Sequence, residues 1–148
     1  MPIETKFYDL DAVSLSIAGY PITGGFGEGG AISIKYDTER FEVVEGVGGD
    51  VVRSKTNSRL ATVEVTLLQT AAGNATLEAL ARLDDNGVNG AGVGAFRCEE
   101  RNGGDLYAGS KCWVQKRPDV ELSRKATDRT WVLKVADLEP FPGGRPGV

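Results

Sequence analysis

The chain has 148 residues, 41% of them hydrophobic and 26% charged, which suits one ordinary domain with a single core, and no apolar run approaches the roughly 20 residues of a membrane helix. Seventeen basic residues against 21 acidic ones leave a net charge of -4, which argues against a surface that grips duplex DNA by neutralising phosphates. The absence of histidine removes the usual Ser-His and Cys-His nucleophile pairs, His-containing zinc sites and the commonest general base.

The opening "MPIETKFYDLDAV" has no basic region followed by an apolar one, so it does not read as a secretion signal, and synthesis in the cytoplasm is expected. In "AVSLSIA", Val13, Leu15 and Ile17 alternate with Ser14 and Ser16, the pattern of a half-buried strand. A glycine-rich loop from Gly24 to Gly30 follows, and "AISIKY" resumes the alternation with Ile32, Ile34 and Tyr36 on one face. Gly25, Gly27 and Gly30 have the spacing of a dinucleotide fingerprint, but that motif must lead from a strand into a helix whose N-terminus holds the phosphate. Here the glycines lead into another strand, and Glu28 would place a carboxylate in the phosphate cradle. They are expected to serve a flexible connection between strands.

Phe41 to Asn57, "FEVVEGVGGDVVRSKTN", has two Val-rich arms around "GVGG" and reads as a long projecting hairpin. Val43, Val44, Val47, Val51 and Val52 carry more apolar surface than a two-stranded ribbon hides by itself. Either the ribbon folds back on its own core or it is an arm that faces a partner.

"LATVEVTLLQT" is the clearest strand, with Ala61, Val63, Val65 and Leu67 on one face until Leu68 breaks the pattern, and a central position is expected for it. The period then changes. "NATLEALARLDDNG" has Leu77, Leu80, Ala81 and Asp84 at helical spacing, Asn74 as the N-cap candidate and Gly87 placed to end the helix. Asp84 and Asp85 fall in its last turn, where negative charge is disfavoured; they read as solvated turn formers or, alternatively, as the contact for a basic partner.

Gly87 to Gly94 forms a second glycine-rich connection, followed by "AFRCEERNGGDLYAGSKCWVQKR", two strands around the turn "NGGD". "PDVELSRKATDR" connects to "TWVLKVADLE", where Trp131, Leu133 and Val135 alternate with Val132 and Lys134, and this last strand is expected to end by Pro140. Seven or eight strands with one flanking helix make a small, mainly β barrel or sandwich.

Residues for chemistry are sparse. Cys98 and Cys112 read as two small half-buried residues on neighbouring strands rather than a disulfide framework. Glu99 with Glu100, and Asp137 with Glu139, are acidic pairs, but neighbours on a strand face opposite sides and neither pair forms an acid–base site. Lys55, Arg59, Lys116, Arg117, Arg124 and Lys125 are dispersed among acids without interleaved aromatics, unlike a single-strand binding groove. No catalytic residue, cofactor or metal site is expected.

Four segments taken in order, "SIAGYPITG", "VTLLQT", "NATLEALARLDD" and "KRPDVELSRKATDRTWVLKVADLEPFPGG", resemble the tail tube proteins of contractile-tailed bacteriophages. The likeness runs from about Tyr8 to Gly144. It is carried most specifically by "PDVE", then "ADLE", then a terminal Phe-Pro-Gly-Gly; "GGFGEGG", "GVNGAGVG" and the final "RPGV" depart from it.

The resemblance implies a single tail tube domain over 1–148, with 140–148 as a C-terminal extension. It implies hexameric rings stacked helically into a hollow conduit for DNA ejection, inside a contractile tail sheath, in the virion. Tape measure protein and genomic DNA would pass through the lumen without sequence-specific binding. The hairpin at 41–57 would bridge rings through Val44, Glu45, Val47, Asp50, Val52, Arg53, Lys55 and Asn57, and Asp84 and Asp85 would be the candidate contact to the sheath. A tube-initiating or adaptor protein of the tail would share these features. A small carbohydrate-binding β-sandwich is the reading from another class, poorly supported by two Trp and four Tyr.

Overall fold

The computed structural model describes residues 13–22, 32–100 and 104–142. The glycine loop at 24–30, the residues of the "NGGD" turn before Gly104 and the "RPGV" end lie outside the described residues. Among those described there are ten strands and one helix. In chain order they are β1 (Val13–Ile17), β2 (Tyr20–Ile22), β3 (Ile32–Tyr36), β4 (Phe41–Glu45), β5 (Val51–Lys55), β6 (Ala61–Leu68), α1 (Gly73–Asn86), β7 (Gly94–Glu100), β8 (Asp105–Lys116), β9 (Asp128–Val135) and β10 (Glu139–Phe141). The protein is mainly β with one flanking helix. The two strands beyond the expected seven or eight are the three-residue β2 and β10.

Eight strands form one antiparallel sheet, ordered β2-β1-β7-β8-β9-β6-β3, with β10 also pairing β8. The order runs open from β2 to β3, so among the described residues the sheet does not close into a barrel. β6 is second from an end of this order rather than central, yet its inward residues Ala61, Val63, Val65 and Leu67 are all fully buried. The register explains why. Val63 lies opposite Leu133 and Val65 opposite Trp131, while Leu15 lies opposite Cys98 and Ile17 opposite Phe96. A slip of one residue would send Thr62, Glu64 and Thr66 into the core instead, so the alternation fixes the pairing.

The helix completes this core with Leu77 and Leu80, each worth about 1.5–3 kcal/mol when fully buried. It ends at Gly87, as its spacing predicts, where the glycine N–H donates to the Leu83 carbonyl. Its start differs from the expectation: the N-cap is Ala72, without a side-chain cap, and Asn74 lies inside the first turn. The Asn74 amide instead donates to the carbonyls of Leu68 (2.9 Å), Gln69 (3.3 Å) and Ala71 (3.2 Å). Its Oδ1 accepts from Trp131 Nε1 at 2.9 Å. The residue ties the turn before the helix to β9 and satisfies the indole N–H that burial would otherwise leave without a partner.

Strand structure does not end by Pro140 as expected. After β9 the chain stays beside β8 as β10, with Pro140 opposite Tyr107. Asp137 makes the step between the two strands. Its Oδ1 accepts from the backbone N–H of Ser110 (2.9 Å) and Lys111 (3.2 Å), and its Oδ2 accepts the Ser110 hydroxyl. The Ser110 hydrogen bond is the main cause that holds the Asp137 carboxyl below its ordinary range. A side chain at Gly109 would run into Val135 Cγ1, so β8 and β9 approach this closely only with glycine there.

Cys98 and Cys112 sit on the neighbouring strands β7 and β8, but both are free and buried rather than half-buried. Burial pushes their thiols from an ordinary value of 9.0 up to about 11 and about 12. The unfolded chain therefore releases these protons at lower pH than the folded one, so the stabilising contribution is full below pH 9.0 and is lost as pH rises towards 11 and 12. The unfolding midpoint is expected to fall above pH 9.0, and to fall less steeply in Cys112→Ala; thermal melts across that range measure it.

Candidate assembly surface

β4 and β5 form a sheet of their own, and neither pairs with the larger one. Their register sets Phe41 opposite Lys55, Val43 opposite Arg53, Val44 opposite Val52 and Glu45 opposite Val51. At the tip the Gly46 N–H donates to Asp50 O at 2.7 Å and the Gly49 N–H to Gly46 O at 3.0 Å. Gly49 has φ +88, a conformation that favours glycine.

Exposure excludes one of the two readings of this ribbon. Val43 is 64% exposed, Val44 57%, Val47 111%, Val51 65% and Val52 60%, so the ribbon does not fold back on the core. Because opposite residues share a face, Val43 and Val51 belong to one side with Phe41 and Arg53, while Val44 and Val52 belong to the other. Both faces carry exposed valines among polar residues. Glu45 and Asp50 flank the tip, whereas Arg53 stacks 4.5 Å from the Phe41 ring and Arg40 5.5 Å from it.

Below the ribbon lies a groove of about 1100 Å³ whose walls come from distant parts of the chain, among them Tyr36, Arg40, Phe41, Lys55, Arg59 and Phe141. Lys55 and Asn57, expected among the residues that bridge rings, line this groove. The root is closed by the Thr56 N–H donating to Arg40 O at 2.8 Å. Tyr36 OH donates to Leu138 O at 3.2 Å, and Arg59 is ion-paired with Glu139. Nothing local in the sequence brings Tyr36, Arg59 and Glu139 together; the step at Asp137 does so by laying β10 beside β8.

Beside the groove, Lys134 Nζ donates to Asp37 Oδ2 (2.6 Å) and to Thr62 Oγ1 (2.7 Å), fixing the turn that leaves β3. The Lys134 hydrogen bond is the main reason the Asp37 carboxyl titrates below its ordinary range.

Asp84 and Asp85 lie far from the ribbon in sequence, at the end of α1. The chain already supplies a base for one of them: Arg117 Nη2 donates to Asp85 at 2.8 Å while its Nε donates to Glu78 at 2.9 Å. Asp84 Oδ1 accepts from the Gly92 N–H at 3.4 Å.

The chain is similar to the cap of the anti-feeding prophage, the tube-terminating cap, with TM-score 0.59 and 7% identity over 97% of both chains. It is similar to a chain of the PVC extracellular contractile injection system sheath-tube complex in the extended state, with TM-score 0.54 and 11% identity over 91% of both chains. It is also similar to a chain of the PVC sheath/tube terminator in the extended state, with TM-score 0.55 and 11% identity over 95% of this chain and 97% of that one. At these identities the likeness shows the fold. A search of curated proteins finds no match.

The family is shown by the sequence: residues 5–143 match the model of the bacteriophage PhiTE tail tube protein family, and the chain belongs to that family. It is therefore a structural component of a phage tail. No helix among the described residues is long and apolar enough to cross a membrane.

Proposed function

We propose that copies of this chain close into hexameric rings and that the rings stack helically into a hollow tube, the conduit for DNA ejection inside a contractile sheath. The observation that carries this reading is the ribbon, a solvent-exposed arm with valine on both faces, which an isolated subunit leaves uncovered. The outer edges of β2 and β3, unpaired among the described residues, supply the second requirement. An open strand edge is an aggregation hazard unless another chain pairs with it, and edge-to-edge pairing around a ring does that. Heterologous contacts of this kind close into rings when the rotation closes and extend into filaments when a translation is added.

The net charge of -4 suits a lumen through which tape measure protein and genomic DNA slide, since a basic wall would hold phosphates by counterion release. No catalytic step is assigned to the chain. It is made in the host cytoplasm and ends in the virion, where Asp84 and Asp85 are the proposed contact to the sheath protein.

Electron microscopy of the concentrated, purified chain tests the reading. Extended hollow tubes are the expected result. Rings that stop after one or two layers would assign the chain to a tube-initiating or adaptor position instead, and a persistent monomer would remove the tube reading altogether.

A further inference from the structure

Resting on the tube reading, we propose that the tip of one copy's ribbon seats in the groove at the root of the ribbon of a second copy of this chain. The two surfaces differ in charge in a complementary way. From Glu42 to Val52 the ribbon carries the carboxylates Glu42, Glu45 and Asp50 and no basic residue, with Val47 fully exposed at its end. The groove carries Arg40, Lys55 and Arg59 against Glu39 and Glu139. Arg59 is taken by Glu139, whereas Arg40 and Lys55 form no ion pair among the described residues, and neither do Glu45 and Asp50.

Between the charges the groove offers an apolar floor for Val47: Phe41 is half-buried there, and Tyr36 and Phe141 are exposed at its edge. Its volume of about 1100 Å³ is above the roughly 300–1,000 Å³ of a drug-sized ligand site, which suits a turn of polypeptide. The tip cannot reach the groove of its own chain. The five-residue strands β4 and β5, at about 3.3 Å per residue, hold it roughly 17 Å from its own root. The tip and the groove are different surfaces, so one copy's tip in another's groove leaves a free tip and a free groove for the next, a contact that propagates.

The test uses the full chain in three charge variants, each checked by thermal melting. Glu45→Lys with Asp50→Lys reverses the tip, Arg40→Glu with Lys55→Glu reverses the groove, and the fourfold variant reverses both. Each double variant is expected to raise the protein concentration needed for tube growth by about tenfold or more, and the fourfold variant to restore it, because like charges that meet across a contact repel and the double exchange removes the repulsion. Tubes of normal yield from the groove variant, with growth blocked in the tip variant, would overturn the docking while leaving the ribbon's role in assembly intact. Absence of tubes from the unmodified chain would overturn both. A chain carrying Val47→Cys and Ser58→Cys gives a second readout: oxidised tubes should yield a ladder of covalent oligomers, and no ladder from intact tubes overturns the docking.

Discussion

Val47→Asp and Val52→Asp are each expected to abolish tube growth while leaving the melting temperature of the isolated subunit essentially unchanged. Both side chains are mainly in solvent in the single chain, and substitutions at such positions usually change stability by within about 0.5 kcal/mol. In an assembly that covers the ribbon, the same carboxylate loses its water without gaining a partner, and an unpaired buried charge is strongly unfavourable. Sedimentation and electron microscopy read the assembly; thermal unfolding of dilute protein reads the fold. Normal tubes from either variant would remove the ribbon from the interface, and a large drop in the melting temperature would mean that the ribbon packs on its own subunit.

The reverse pattern is expected for Leu77→Ala and Leu80→Ala. These residues are 0% and 4% exposed, in one core with Trp131, Leu133 and Phe96. Truncation removes the transfer free energy and leaves a cavity that the sheet, pinned by its register, fills poorly. The expected cost is about 2–5 kcal/mol, seen as a fall of roughly 2–4 °C in melting temperature for each kcal/mol. Both variants should still assemble at temperatures where they remain folded. A loss below about 1 kcal/mol for Leu77→Ala would contradict its central place in the core.

The parts of this fold that sequence reading reached are those where one local rule acts without competition. In β6 and β9 the alternation of Val63, Val65, Leu133 and Val135 needs no knowledge of the partner strand, because one face is buried throughout. Gly87 ends the helix where a side chain would run into the Leu83 carbonyl oxygen. Asn74 shows where the local rule loses: its residue type and position suit an N-cap, but its amide is better used by three carbonyls and the Trp131 indole, partners set by tertiary packing.

Pro140 shows another limit. Proline is compatible with a strand when its missing N–H lies on an unpaired edge, and β10, paired among the described strands with β8 alone, offers that edge. The ribbon was legible because its valines cluster in sequence. The groove was not, since Tyr36, Arg59 and Glu139 meet only after β10 is laid beside β8, and no spacing along the chain encodes that.

A ribbon greasy on both flanks has a kinetic consequence. In the proposed tube, the first subunit to join a bare end would cover one flank with the layer beneath and leave the other open until a lateral neighbour arrived. Starting each new layer would then be the slow event and completing it the fast one, so free subunits would wait for a template rather than seed filaments of their own.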